Sequence, residues 1–454
     1  MIAKPSGLKE AGNFSEDGAR LSWCLIIFGI GLLSRTFFII FSSFTSGDQR
    51  DYTSIAHNIL NSGQFAITPA SPTIFRPPMY PFFLALIYRL FGEHNEAVWI
   101  AQALIGAAAG VILYLILRRF VSEGNARFTA ALAAIYPNLS FYAATVLAET
   151  LLSAGIVLMV YFVYRARGER QLLFSILAGA TAALTILISP RLMGAPLIVA
   201  ASLWFGQSKA QRRIKPVLLS LCAALLVLTP WTVRNYATFG IFNLASMQGP
   251  GLPFWLTTKR VEVYDWKWVE LRRTEPLMQR YDELHNDEAS EQRLIKERAS
   301  IERAMLWDGV KVIWADPFGY VKDRAYKYPR LWFQPAAYAG NFQKPFASQN
   351  MRLSQMIEER AIIPATARIL SLIIFTLIPT VLVICGIIIL LPRWKEHAVV
   401  YMLLAWVALV QAPLFIEYRF TVVIHPVLAI FSAVALEKCL ALMRNRRLKP
   451  SVKS

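Results

Sequence analysis

The stretch LSWCLIIFGIGLLSRTFFIIFSSFTSGDQRDY, Leu21 to Tyr52, decides how the chain is read. Residues 21–41 form an apolar run long enough to cross a hydrocarbon core of about 30 Å as a helix. Polar residues then arrive abruptly, among them Asp48, Arg50 and Asp51. A chain of 454 residues that is 56% hydrophobic and only 17% charged has further segments of this kind. Its mean hydropathy is +0.44. The apolar runs are continuous rather than alternating, which excludes a β-barrel pattern. The fold class expected is an all-α polytopic membrane protein.

Ten spans are expected, at about 21–43, 97–117, 126–143, 146–164, 172–188, 191–206, 216–231, 367–391, 398–416 and 420–440. Basic residues test this threading, because short cytoplasmic loops are rich in Lys and Arg. With the N-terminus inside, the inner loops hold Arg118, Arg119 and Arg127; Arg165, Arg167 and Arg170; Lys209, Arg212, Arg213 and Lys215; and Arg393 and Lys395. The inner tail holds Arg444, Arg446, Arg447 and Lys449, while the outer short loops hold Arg191 and Arg419. The net charge of +18 therefore reads as membrane orientation and not as nucleic-acid binding. The segment PPMYPFFLALIYRLFG, Pro77 to Gly92, would invert every later loop if it spanned; it is expected to lie in the interface or re-enter. The first apolar run is read as a retained helix. Cys24, Cys222, Cys385 and Cys439 lie in or beside apolar runs and are read as packed or lipid-facing thiols.

One membrane domain, 1–454, is expected. Residues 44–96 form a first outer loop with interfacial helices, and 232–366 an outer helical cap. Residues 367–454 supply the C-terminal spans. In the cap, Leu284, Leu294, Ile301, Met305 and Val312 recur at helical spacing until Pro317 interrupts the pattern.

Several charged residues converge on the outer end of this threading. Asp48 precedes a short amphipathic helix expected from about Asp51, and a carboxylate there suits either a helix N-terminus or chemistry. Arg76, fixed before two prolines, can grip a phosphate or anchor lipid headgroups. Glu149 sits at the outer end of the fourth span, where an acid pairs or functions. Arg191, Arg234 and Arg419 follow other spans, and Arg35, in the outer half of the first, is read as snorkelling or ion-paired. His57, His94, His285, His397 and His425 show no metal-ligand spacing and are read as structural. Neither a P-loop nor a dinucleotide fingerprint is present, so no nucleotide cofactor is expected.

The motifs GDQRDYTSIAHNILNSGQF, FRPPMYPFFLALIYRLFG, YPNLSFYAATVLAETLL, SPRLMGAP, TPWTVRNYATFGIFNL and EYRFTVVIHPVLAIFSAVAL occur in that order. In this order the chain resembles the membrane-embedded glycosyltransferases of the GT-C superfamily. The likeness is to the bacterial family-39-like branch of protein mannosyltransferase and lipid A aminoarabinose transferase relatives. The resemblance implies a sugar donor on a polyprenyl phosphate and a glycan, lipid or protein acceptor. It places the active site on the extracytoplasmic face of the bacterial inner membrane, with both termini cytoplasmic and membrane lipids as partners. It implies Asp48 as the catalytic base and Glu149 as a second acid; Asp51 is a secondary candidate that is expected to start the interfacial helix. Arg76, Arg191, Arg234 and Arg419 would hold the lipid phosphate, and a divalent metal, Mg or Mn, would sit at Glu149 with Asp48 as in some members. Two rival readings share the threading. One is a lipid-linked sugar transporter or flippase, which should show internal repeats and midplane charges, neither of which is visible. The other is a polysaccharide polymerase or ligase that uses a polyprenyl-diphosphate glycan.

Overall fold

The computed structural model describes residues 14–44, 46–69, 71–168, 170–206, 214–242, 244, 274–286, 291–332, 362–411 and 419–447. Among them the architecture is helical, with one isolated β-bridge between Ala66 and Pro72. The long apolar stretch that opens the chain becomes α1, Phe14–Phe41. It is followed by α2, Gly47–Ser62, and α3, Met79–Phe91. Next come α4, Asn95–Leu117, α5, Glu123–Ala134, α6, Pro137–Ala143, and α7, Glu149–Arg165. Then follow α8, Gln171–Ile188, α9, Ala195–Phe205, and α10, Ile214–Phe239.

Three polar-faced helices lie in the expected cap: α11, Pro276–Asn286, α12, Glu291–Ala315, and α13, Pro317–Trp332. Further along are α14, Ile362–Leu372, α15, Ile378–Leu390, α16, Ala398–Trp406, the short α17, Arg419–Val422, and α18, His425–Arg447. Among the described residues each expected span overlaps helical backbone, and six stretches are long and apolar enough to cross a membrane. One of them runs from Ala365 to Val410 and holds two of the expected spans. The span expected at 126–143 is broken: α5 ends at Ala134, and Pro137, which lacks an N–H donor, starts α6.

Contacts between helices distant in sequence define two ends of the bundle. At one end Tyr164 meets His397 at 3.1 Å, and Glu437 accepts from Ser122 at 2.7 Å. At the other, Arg419 meets Asp48, and Trp406 donates to the Arg191 carbonyl at 2.8 Å. The described basic loop residues, Arg118, Arg119, Arg165, Arg167, Arg393 and Lys395 among them, fall at the first end; Asp48, Arg76, Glu149, Arg191 and Arg419 fall at the second. α3 does not invert this parity. Its 13 residues span about 20 Å, too short for a bilayer core. It packs on α2, with the Tyr52 and Tyr80 rings 4.8 Å apart, and Tyr80 donates to Gln102 on α4 at 2.9 Å.

Small residues set the closest helix approaches, as expected where lipid supplies no hydrophobic drive between helices. A Cβ on Gly179 of α8 would lie 1.9 Å from the Ser220 carbonyl oxygen of α10. One on Gly386 of α15 would lie 2.1 Å from that of Phe431 on α18. Arg35 differs from its expected role. It is 4% exposed, buried within the bundle, and donates to the Gly31 and Ala134 carbonyls at 2.8 Å each. Gly106 on α4 leaves the space its guanidinium occupies. An arginine that cannot reach water satisfies itself on backbone carbonyls instead.

Candidate active site

α2 starts four residues before Asp51, which corrects the expected boundary. Ser46 is the N-cap, its Oγ accepting from the Gln49 N–H at 3.2 Å. Asp48 therefore lies in the first turn, where the helix dipole favours its charge, and the capping role belongs to Ser46. Gly63 closes α2 in the left-handed conformation, φ 70°, which turns the chain into the loop that leads to Arg76. Asn58 holds this loop by donating to the Ala66 and Ile67 carbonyls at 2.8 and 3.0 Å. Thr73 accepts from the Phe75 N–H at 2.9 Å.

Arg76 then reaches both acids of α2. Its Nε and Nη2 donate to Asp51 Oδ2 at 3.0 and 2.6 Å, and Nη2 also donates to Asp48 Oδ1 at 2.7 Å. Its guanidinium carbon lies 5.2 Å from the Tyr52 ring centroid and 4.9 Å from that of Phe75. Burial pushes the Tyr52 hydroxyl up to about 12, so this wall stays neutral. Asp51, expected to start the helix, is instead the second anchor of Arg76.

Arg419, 371 residues further on, donates from Nη1 to Asp48 Oδ2 at 2.7 Å. Both oxygens of Asp48 thus accept from different arginines. Burial alone would raise the Asp48 carboxyl, but Arg76 and Arg419 outweigh it and hold the group at about 2. α13 supports Arg419, since the Thr421 hydroxyl donates to the Leu331 carbonyl at 2.5 Å.

Glu149 opens α7 beside this cluster. It is 8% exposed, and its Oε2 is buried without a hydrogen-bond partner among the described residues. With Ser189, Arg191 and Arg419 it lines a cavity of about 30 Å³, enough for a water. The Arg191 guanidinium stacks 3.3 Å from the Phe420 ring centroid. Arg419 therefore borders both Asp48 and Glu149.

Arg234 lies outside this cluster. Its Nη1 donates to the Thr73 carbonyl at 2.8 Å and to Asn235 Oδ1 at 3.0 Å. It flanks a groove of about 560 Å³ lined by Phe65, Met79, Phe82, Leu187 and Trp231 among others. Its bond to Thr73 fixes the loop that carries Arg76. The expected metal set does not fit this arrangement. Both Asp48 oxygens are engaged by guanidiniums, and no group of three His, Cys, Asp or Glu gathers among the described residues.

Sequence reasoning passed over Gln102, Asn58 and Thr73. Gln102 is fully buried and donates to the Ala143 and Thr145 carbonyls at 3.2 and 2.6 Å. It pins the chain just before Glu149. A lone amide inside an apolar span was the available signal.

Residues 75–233 match the family of dolichyl-phosphate-mannose-protein mannosyltransferases. A 93-residue stretch, 20% of this chain, is 34% identical to an uncharacterized protein of Aquifex aeolicus (strain VF5), of which it covers 18%. The fold is similar to the archaeal oligosaccharyltransferase AglB of Archaeoglobus fulgidus, solved with an inhibitory peptide and a dolichol-phosphate. That likeness has a TM-score of 0.52 at 15% identity, over 97% of this chain and 53% of that one. An Archaeoglobus fulgidus oligosaccharyltransferase in the apo form gives a TM-score of 0.54 at 14% identity, over 96% and 52%. ArnT of Cupriavidus metallidurans, bound to undecaprenyl phosphate, has a TM-score of 0.41 at 14% identity, over 97% and 82%. The chain thus spans about half the length of these oligosaccharyltransferase structures. Fold and matched segment agree with the resemblance read from the sequence: the chain is a multi-pass membrane protein whose helical fold is similar to that of AglB, and its residues 75–233 match the mannosyltransferase family.

Proposed function

We propose that the protein transfers a sugar from a polyprenyl-phosphate donor to an acceptor hydroxyl at the extracytoplasmic face of the membrane, with inversion. The observation that carries this reading is the cluster in which Arg76 and Arg419 share the Asp48 carboxylate beside the buried acid Glu149. Two guanidiniums at a membrane end suit a lipid-linked phosphate, which offers bidentate oxygens in place of a carboxylate. The AglB structure contains a dolichol-phosphate, a lipid of the same chemical class. The apolar groove beside Arg234 suits a polyprenyl tail.

With Asp48 held at about 2, its carboxylate is a weak base in the resting state. A donor phosphate that draws Arg419 away would remove one of the two charges that depress it. Asp48 could then take the acceptor proton as the acceptor oxygen bonds to the anomeric carbon. The anomeric carbon–oxygen bond breaks, and its electron pair leaves with the polyprenyl phosphate, stabilised by the arginines. Glu149, close to Arg419 and Arg191, would keep those cations oriented.

The test supplies purified protein in liposomes with radiolabelled polyprenyl-monophosphate and polyprenyl-diphosphate sugars in separate arms, plus envelope extract as acceptor. Product from the monophosphate arm in wild type, absent in Asp48→Asn with normal insertion, is expected. Product from the diphosphate arm alone, full activity in Asp48→Asn, or movement of label across the bilayer without product would overturn the reading.

A further inference from the structure

At the end of the bundle remote from Asp48 lies a groove of about 660 Å³, where the start of α1 meets the ends of α4 and α7. Four of its eight lining residues are arginines, namely Arg20, Arg118, Arg119 and Arg165, and none is acidic. Among the described side chains, the acid beside it, Glu123, is already shared. It accepts from the Tyr114 hydroxyl and from Arg127 at 3.2 Å, and it lies 3.4 Å from Arg118 Nε. Arg118 Nη1 is buried and has no hydrogen-bond partner among the described residues. Arg119 donates to the Tyr164 carbonyl at 3.0 Å. Burial, with Arg165 and Arg167 close by, pushes the Arg119 guanidinium below its ordinary value, as crowding of like charge should. Leu21 and Leu115 line the same groove. Leu21 and Leu25 of α1 are 61% and 62% exposed at this level, an apolar surface that faces lipid.

We propose that this groove binds the phosphate headgroup of an anionic glycerophospholipid, whose acyl chains lie along the exposed leucines of α1. The phosphate answers the excess of guanidiniums and offers an acceptor to Arg118 Nη1. The adjoining leucines favour a lipid over free phosphate, which would gain nothing from them. The site is distinct from the cluster at Asp48, since α1 places about 30 Å between Arg20 and Phe41.

Native mass spectrometry of the full chain in detergent tests this with phosphatidylglycerol, phosphatidylethanolamine and inorganic phosphate in separate arms. One phosphatidylglycerol should be retained per chain, about tenfold more strongly than phosphatidylethanolamine, with no adduct from phosphate. The double variant Arg118→Ala/Arg165→Ala should lose that preference, and Arg118→Lys/Arg165→Lys should keep most of it. Arg444→Ala, an exposed arginine outside the groove, should bind as wild type does. Equal retention of the two lipids by wild type, phosphate binding as tight as lipid, or an unchanged preference in the alanine double variant would overturn the proposal. The headgroup comparison on wild type decides the matter even if the double variant does not fold, and none of these readouts depends on sugar transfer.

Discussion

Asp48 is shared by two arginines from segments far apart in sequence, and this sharing has a measurable stability cost on acidification. Its carboxyl is lowered from an ordinary 3.8 to about 2, so the stabilisation is present above 3.8 and is lost as pH falls toward 2. That difference corresponds to about 2 kcal/mol. Asp48→Asn should therefore unfold at a lower temperature than wild type at pH 7, and the gap should shrink below pH 3.8 and nearly close by about pH 2. Thermal unfolding in detergent at the two pH values measures this; a gap that persists at pH 2 would contradict the assignment. Arg419→Gln should lower kcat/KM for the donor by about 10²–10³ if this guanidinium meets the leaving phosphate. Steady-state kinetics with the lipid donor would show it, and an unchanged value would remove Arg419 from the site. Arg76 is the less replaceable of the two, because its fork reaches Asp48 and Asp51 at once. Arg76→Lys should lose most activity despite keeping the charge, since an ammonium lacks that fork.

The elements that hold these residues are set by small side chains and caps. α8 and α10 touch through Gly179, where any side chain would meet the Ser220 carbonyl. Gly179→Leu should destabilise the protein by roughly 1–3 kcal/mol or prevent its purification as a single species. Gly124 is helical too, but a Cβ there meets nothing within 4 Å. Gly124→Ala should be neutral to about 0.5 kcal/mol stabilising. Fluorescence-detected size exclusion after a heat step separates the pair. α2 and the loop after it form a second unit. Ser46, Gly63, Asn58, Thr73 and Arg234 each fix a piece of the path from α1 to Arg76. This is a positioning task for Arg234, one that its spacing in PWTVRN does not reveal.

Across the whole molecule, the two ends of the bundle carry different chemistry. One gathers Asp48, Glu149 and the arginines proposed for the donor; the other gathers the basic loops. By the positive-inside rule the basic end is expected on the cytoplasmic side. In a variant lacking the four native cysteines, Ser62→Cys should react with an impermeant maleimide from outside intact cells, while Lys395→Cys should react only after lysis. Both positions are exposed and lie at opposite ends. Labelling of Lys395→Cys alone from outside would reverse the orientation, and labelling of both would contradict the separation of the two ends.

Hydropathy was enough for the helical membrane class and for the shortness of α3, because both follow from runs of local residues. Asp48, Arg76, Glu149, Arg191 and Arg419 were legible as candidates for the same reason: a charge beside an apolar helix stands out. Part of the expected cap, and the end of the span expected at 398–416, lie outside the described residues. Sequence left the start of α2 too late, because Ser46 and Asp48 are both good caps and only the backbone shows which hydroxyl or carboxylate meets an N–H. It also put Arg35 at the water's edge, since periodicity cannot tell a bundle interior from a lipid-facing side. The tertiary structure alone decided that Asp48 is divided between Arg76 and Arg419, and that Arg234 holds a loop. Those facts depend on contacts between residues up to 371 positions apart, whose distances no local pattern encodes.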